Sequence, residues 1–130
     1  MEFLIATTRP QELVDITERV DAIVAQSGVD EGLCHVFVPH ATAAVVINEN
    51  HDPNLPLDLL DALNKSYPDH AGWRHDRIDN NGGAHLKAAV LGPSETIPIK
   101  QGRLLLGTWQ AVMLVELDGP KERRVVVTVQ

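Results

Sequence analysis

Six histidines in a chain of 130 residues invite imidazole chemistry. His40, His75 and His85 stand apart, because they lie in polar, turn-rich or helix-start settings rather than on plain apolar faces. Neutral imidazoles bind Zn²⁺, Ni²⁺ and related ions, and three of them around an open position make a catalytic rather than a structural site. No HExxH or HxH spacing puts two ligands on one element, so the fold must assemble such a site from three segments. The alternative is three ordinary surface or hydrogen-bonded histidines. His35 reads as a packed strand residue, and His51 and His70 as solvated loop residues. Cys34 is the sole cysteine, which excludes an intrachain disulfide and a CxxC knuckle and leaves His, Asp and Glu as ligands.

Other polar residues cluster near these histidines in sequence. A strand over Thr42 to Asn48 would align His40, Thr42, Ala44, Val46 and Asn48 on one face, with Glu49 and Asn50 at its exit. Glu49 is then either a general acid or base, with Asn50 orienting a substrate carbonyl or amine, or part of an Asn-Glu-Asn turn before Pro53. The run from Asp76 to His85 includes Arg77, Asp79 and Asn81 and leads into a helix start whose free N–H groups favour a phosphate or carboxylate. Arg74 and Arg77 either add charge-assisted bonds to that anion or stay solvated, and Asp79 either joins the site or caps the helix. Gln110 and Glu116 share strand parity with Thr108. Glu116 is an acid, a base or a histidine's partner, or else it pairs with Arg123 or Arg124 across the closing hairpin. Trp109 reads as core or subunit interface. No GxGxxG or GxxxxGK[ST] fingerprint supports a nucleotide.

These residues need elements to position them. Glu2 to Thr8 reads as a strand, and Gln11 to Ser27 as a helix, with Leu13, Ile16, Val20, Ile23 and Val24 on one face, Thr8 at its start and Gly28 as its stop. Leu33 to Val38 and Ala43 to Asn48 are β-favouring runs around Pro39, and Leu57 to Tyr67 is a helix closed by Pro68. Asp69 to Gly83 is a long polar loop, and Ala84 to Leu91 a two-turn helix carrying His85. Glu95 to Ile99, Arg103 to Leu117 and Arg123 to Val129 read as a closing β-meander. Strict β-α-β alternation is missing, which points to α+β. Leu104 to Leu117 is nearly all apolar, so both its faces require cover, with a sister subunit as one source.

The whole chain, 1–130, fits one compact domain, with 44% hydrophobic residues to close a core. A net charge of −7 argues against a phosphate-tracking nucleic-acid partner. No apolar run approaches the roughly 18 residues of a membrane span, and Met1-Glu2-Phe3 lacks a signal-peptide profile. The expectation is a cytoplasmic protein that acts on a small molecule, without nucleic acid or membrane.

Taken together, His40-x-Thr-Ala-Ala-x-x-Ile-Asn-Glu-Asn50, His75-Asp76, Asp79-x-Asn81-x-x-Ala84-His85-Leu86-Lys87, Gly92 to Pro98, Gly102-Arg103-Leu104 and Leu106-Gly107-Thr108-Trp109-Gln110 to Glu116 resemble the YjbQ family, also called the secondary thiamine-phosphate synthase family. The likeness runs nearly end to end. It implies an α+β domain with β-sandwich character, two to three helices and a homotrimer. It also implies a metal pocket on His40, His75 and His85, with Glu49, Asn50, Asp79, Asn81, Gln110 and Glu116 lining or supporting it, and Asn48 and Arg77 stand beside these as further substrate-binding candidates. The chain departs from the family pattern at Ala41, where a second threonine is common, and at Asn80, Gly82 and Gly83, which weakens the loop's acidic edge. The implied activity joins a pyrimidine diphosphate to a thiazole phosphate. Three imidazoles select a transition metal such as zinc, whereas a diphosphate substrate usually brings Mg²⁺, so metal-assisted hydrolysis of a small phosphorylated or amide compound competes with synthesis. Binding of a metabolite without turnover is the non-enzymatic alternative.

Overall fold

The computed structural model describes residues 1–130. Its strands are β1 (Glu2–Ala6), β2 (Glu12–Asp15), β3 (Gly32–Phe37), β4 (Ala43–Glu49), β5 (Ser94–Lys100), β6 (Arg103–Leu104), β7 (Gln110–Glu116) and β8 (Glu122–Val129). The helices are α1 (Thr17–Ser27), α2 (Asn54–Ser66) and α3 (Gly82–Leu91), with a 3-10 turn at Arg74–Arg77. The strands form two antiparallel sheets, ordered β1-β8-β3-β5-β6 and β2-β7-β4. The architecture is therefore α+β, as the missing β-α-β alternation predicts.

Alternation along the strands decides which side chains meet. Ala43 and Val45 of β4 and Val112 and Leu114 of β7 join Val36, Ile97, Val125 and Val127 of the larger sheet in one core, with Val20 and Val24 of α1. Each such Val or Leu side chain contributes about 1.5–3 kcal/mol when fully buried. The opposite parity, Ala44 and Val115, packs with Leu117 against Leu60 of α2 and Ala84 and Ala88 of α3. Chain-internal helices thus supply the second cover that the apolar strand requires, and no sister subunit is needed for it.

Other expectations are corrected. Gln11 to Asp15 is not helical: Leu13 pairs with Val115 and Val14 with Leu114 in β2–β7, so a ladder overrides a pattern that a short segment shares with a helix. Asp15 Oδ1 then accepts the Thr17 N–H at 2.9 Å where α1 begins, and Gly28 ends the helix at φ 74°. Thr8 caps nothing; its N–H donates to Glu12 Oε2 at 2.6 Å. The run from Arg103 to Leu117 breaks into β6 and β7, and Trp109 is 59% exposed, edged against His51 rather than in the core. The last strands form no meander, because β7 and β8 belong to different sheets. No helix is long and apolar enough to cross a membrane.

Candidate functional site

β4 divides the expected site residues between its two ends, about 20 Å apart at the rise of an extended strand. His40, His75, His85, Asp79, Asn81 and Glu116 gather at the start of β4 and the end of β7. Asn48, Glu49, Asn50 and Gln110 sit at the other end, where Glu49 pairs in register with Gln110.

The histidine end rests on a buried ion pair. The Arg123 guanidinium of β8 meets the Glu116 carboxylate of β7 through two bonds, with Nε to Oε1 at 2.9 Å, and both side chains are excluded from water. Thr7 Oγ1 donates to Glu116 at 2.7 Å, and the Leu117 and Asp118 N–H groups reach its other oxygen. Burial pushes the Glu116 carboxyl up, but Arg123, Thr7 and the Asp118 N–H outweigh it and hold the group below its ordinary value. A carboxylate so engaged has no lone pair facing a cleft for proton transfer. It organises the cleft instead, because Arg123 Nη2 also donates to Thr42 O at 3.1 Å and Thr42 Oγ1 at 2.8 Å, fixing the turn that carries His40.

His40 is fastened from the same strand. The Arg124 N–H donates to His40 Nε2 at 2.8 Å, which requires the lone pair of a neutral ring. Burial first, and then the Arg123 charge, hold His40 below the ordinary histidine range. His40 and His85 line one shallow groove of about 460 Å³ with Ala43, Leu86, Ala89 and Pro93. His75 approaches from the other side, its ring edge-on to His85 with centroids 4.5 Å apart.

A clip of loop residues holds His75 there. Asp76 accepts the Trp73 N–H at 3.2 Å and the Gly82 N–H at 2.8 Å, and the Trp73 indole donates to Pro68 O at 2.8 Å. Asp76, not Asp79, caps α3 by accepting the first N–H of the helix, that of Gly82. A Cβ on Gly82 would stand 2.8 Å from Asp76 Oδ1 and from the Trp73 Cβ, and one on Gly83 2.5 Å from Asp69 Oδ1. The two glycines therefore serve packing of the loop on the helix. Arg77 and Asp79 are exposed, with Asp79 Oδ2 3.9 Å from His75 Nε2. Asn81 Nδ2 donates to Asp118 Oδ2 at 3.0 Å. Burial raises Asp118, but Asn81 and Lys121 outweigh it and hold its carboxyl low.

Two buried polar atoms have no partner, His75 Nε2 and Asn81 Oδ1. Leaving such atoms unsatisfied is costly, so both are suited to a ligand or ion. A pair of close imidazoles with one nitrogen free fits a transition metal's preference. His40 joins such a set only by releasing the Arg124 N–H, and no three His, Cys, Asp or Glu side chains of the single chain converge on one point.

The far end is differently made. Asn48 Oδ1 accepts the Glu49 N–H at 2.7 Å, Gln110 Oε1 the Gly107 N–H at 2.8 Å, and Glu49 Oε2 the Asp52 N–H at 3.3 Å. Asn50 Nδ2 donates to Asp15 Oδ2 at 3.0 Å. Glu49 also borders an apolar pocket of about 240 Å³ with Leu13, Leu59 and Met113. Asp76, Asp69, Thr42 and Lys87, to none of which sequence reasoning assigned a positioning role, do most of the positioning. A lysine within the apolar helix from Ala84 to Leu91 is the one signal that could have drawn notice.

Relatives share the sequence pattern and the fold across their length. The family description "UPF0047 protein YjbQ-like" matches residues 1–130. A UPF0047 protein of Archaeoglobus fulgidus is 43% identical over 127 residues, 98% of each chain, and YugU of Bacillus subtilis 38% over 122 residues, 92% of this chain and 89% of that one. A crystal structure from Sulfolobus solfataricus, described as a YbjQ-like protein of unknown function, superposes with a TM-score of 0.96 at 43% identity, covering 99% of this chain and 94% of that one. A YjbQ/UPF0047 family structure from Clostridium acetobutylicum gives 0.96 at 40%, covering 100% and 99%. With matching sequence, fold and length, the chain belongs to the YjbQ (UPF0047) family.

Proposed function

We propose that the histidine cleft is the centre of a metal-assisted enzyme acting on a small molecule. One observation carries this reading: His75 and His85 stand edge to face at 4.5 Å while His75 Nε2 is buried without a partner. His75 and His85 would hold a divalent transition metal, zinc by ligand type, and His40 would complete the set on leaving Arg124. When bound, such an ion lowers the pKa of a water and polarises a phosphoryl or carbonyl oxygen. Asn81 Oδ1 would orient the substrate or its water, and the Glu116–Arg123 pair would keep the His40 turn in place. Glu49, about 20 Å away along β4, would serve this cleft as a base only from another copy, so the reading includes association of chains, as in the homotrimer that the family resemblance implies.

Hydrolysis of a small phosphorylated or amide compound suits the cleft best, because the first N–H of α3 is taken by Asp76 and no lysine or arginine lines the groove of His40 and His85. Thiamine-phosphate synthesis is the second reading, favoured by the exposed Arg74 and Arg77 on the loop that carries His75, which could meet a diphosphate with Mg²⁺. Elemental analysis of untagged wild type beside His75→Ala and His85→Ala is the test. We expect about one transition-metal ion per chain in the wild type and none in either folded variant. Equal metal content in all three would overturn the reading, and product assays for hydrolysis and for thiamine phosphate then separate the two reactions.

A further inference from the structure

Beneath the histidine cleft, α3 carries a charge that the chemistry above does not use. Lys87 follows His85 by two residues and has no solvent exposure. Its Nζ donates to Asn64 Oδ1 at 2.8 Å, Tyr67 O at 3.0 Å and Asp69 Oδ1 at 2.9 Å. An ammonium has three N–H donors, so every one is used. Gln11 doubles the tie, its amide donating to Asn64 Oδ1 at 3.1 Å and Asp69 Oδ2 at 3.3 Å while accepting from Asn64 Nδ2 at 2.7 Å.

A buried charge is a poor way to stabilise a helix face, since a well-packed apolar side chain usually does as well or better. What the ammonium supplies is directional: it fixes the end of α2 and the first residues of the loop, Tyr67 to Asp69, against α3. The same loop residues press on Gly83, where a Cβ would stand 3.0 Å from both Asp69 Cα and Pro68 O. Pro68 O in turn receives the Trp73 indole, and Trp73 with Asp76 sets the 3-10 turn that presents His75. One unbroken set of contacts therefore runs from Lys87 to His75, and His85 rides on the helix that holds its other end.

We propose that Lys87 is a positioning residue of the cleft: by holding Asp69 and Tyr67 it seats the loop on α3 and sets the contact between His75 and His85. The inference rests on reading that cleft as a ligand site. It is tested on the full-length chain with Lys87→Met, and with Asp69→Ala, which removes only the loop's half of the ion pair and keeps the question open should Lys87→Met not fold. Two readouts apply: the nuclear Overhauser contact between the His75 and His85 rings without metal, and the visible spectrum of added Co²⁺. Amide shifts of β3 and β8 report the fold. The expected result is loss of the ring contact in folded variants and Co²⁺ binding weakened at least about tenfold, the range found when partners that orient metal ligands are removed. Folded variants with the ring contact intact would overturn the inference. A wild type that binds no Co²⁺ would defeat the metal reading alone, with the ring contact still deciding the role of Lys87.

Discussion

The two ends of β4 carry polar side chains in similar density, yet they are built in different ways. At the histidine end the polar groups are fastened to buried charges, Arg123 with Glu116 and Lys87 with the more exposed Asp69, and two atoms are left over without partners. At the far end Asn48, Glu49 and Gln110 bond to backbone N–H groups within three residues of themselves, in exposed or half-buried positions, and Asn50 alone of the four reaches across the fold, to Asp15. Local bonds of that kind shape turns. Long-range bonds to buried charges hold side chains away from their own minima and so create the conditions for a site. The comparison teaches that motif density does not separate chemistry from scaffolding, whereas long-range bonds to buried charges set the histidine end apart from the far end, where the long-range bond of Asn50 to Asp15 is exposed.

The sharpest way to break the histidine end is Glu116→Gln. It strands the Arg123 guanidinium in an interior from which water is excluded, and breaking a buried pair costs about 3–5 kcal/mol. Urea unfolding at pH 7 should show that loss. The pH dependence follows from the direction of the shift: Glu116 titrates below the ordinary 4.5, so its contribution is fully present above that value and disappears as pH falls through the folded value. The gap between wild type and variant should therefore narrow below pH 4.5, and a constant gap down to pH 3 would mean that the carboxylate is not the source of the stability.

Gly83→Ala probes the next level, the seating of the loop. Alanine gains up to about 1 kcal/mol of helix propensity over glycine. Against this, its Cβ meets the Asp69 backbone at 3.0 Å, and overpacking costs about 1–3 kcal/mol. We expect a net loss in thermal unfolding, accompanied by a shifted His75 ring signal. A gain in Tm would show that the loop gives way and that the glycine is not required for packing.

How far the site was legible follows from the physics of each segment. Polar flanks set His40, His75 and His85 apart in the sequence, and of these the structure brings His85 into contact with His75 and into one groove with His40. The pairing of Glu116 with Arg123 was one of two open readings, because a hairpin-like spacing limits the partners of a charge within an apolar strand. Glu49 stands apart from the histidines of its own chain for a geometric reason: residues close in sequence to His40 are carried about 20 Å away by an extended strand. Leu13 misled because four residues of helical periodicity are also compatible with a strand, and only pairing with β7 decides. Asp69 was invisible as the partner of Lys87, since an ion pair across 18 residues depends on how a loop folds back.

The smallest effects belong to the far end and test the comparison from the other side. Asn48→Ala and Gln110→Ala each remove one exposed bond to a neighbouring N–H, and surface changes of this kind usually stay within about 0.5 kcal/mol. For an isolated chain, urea midpoints should barely move and should not depend on protein concentration. In the proposed homotrimer this end faces another copy, and association then adds stability that grows with concentration. Unfolding each variant at two protein concentrations separates the cases. Negligible, concentration-independent changes would leave the far end as turn scaffolding, and losses above about 1 kcal/mol that shrink on concentrating the sample would place Asn48 and Gln110 in a subunit contact.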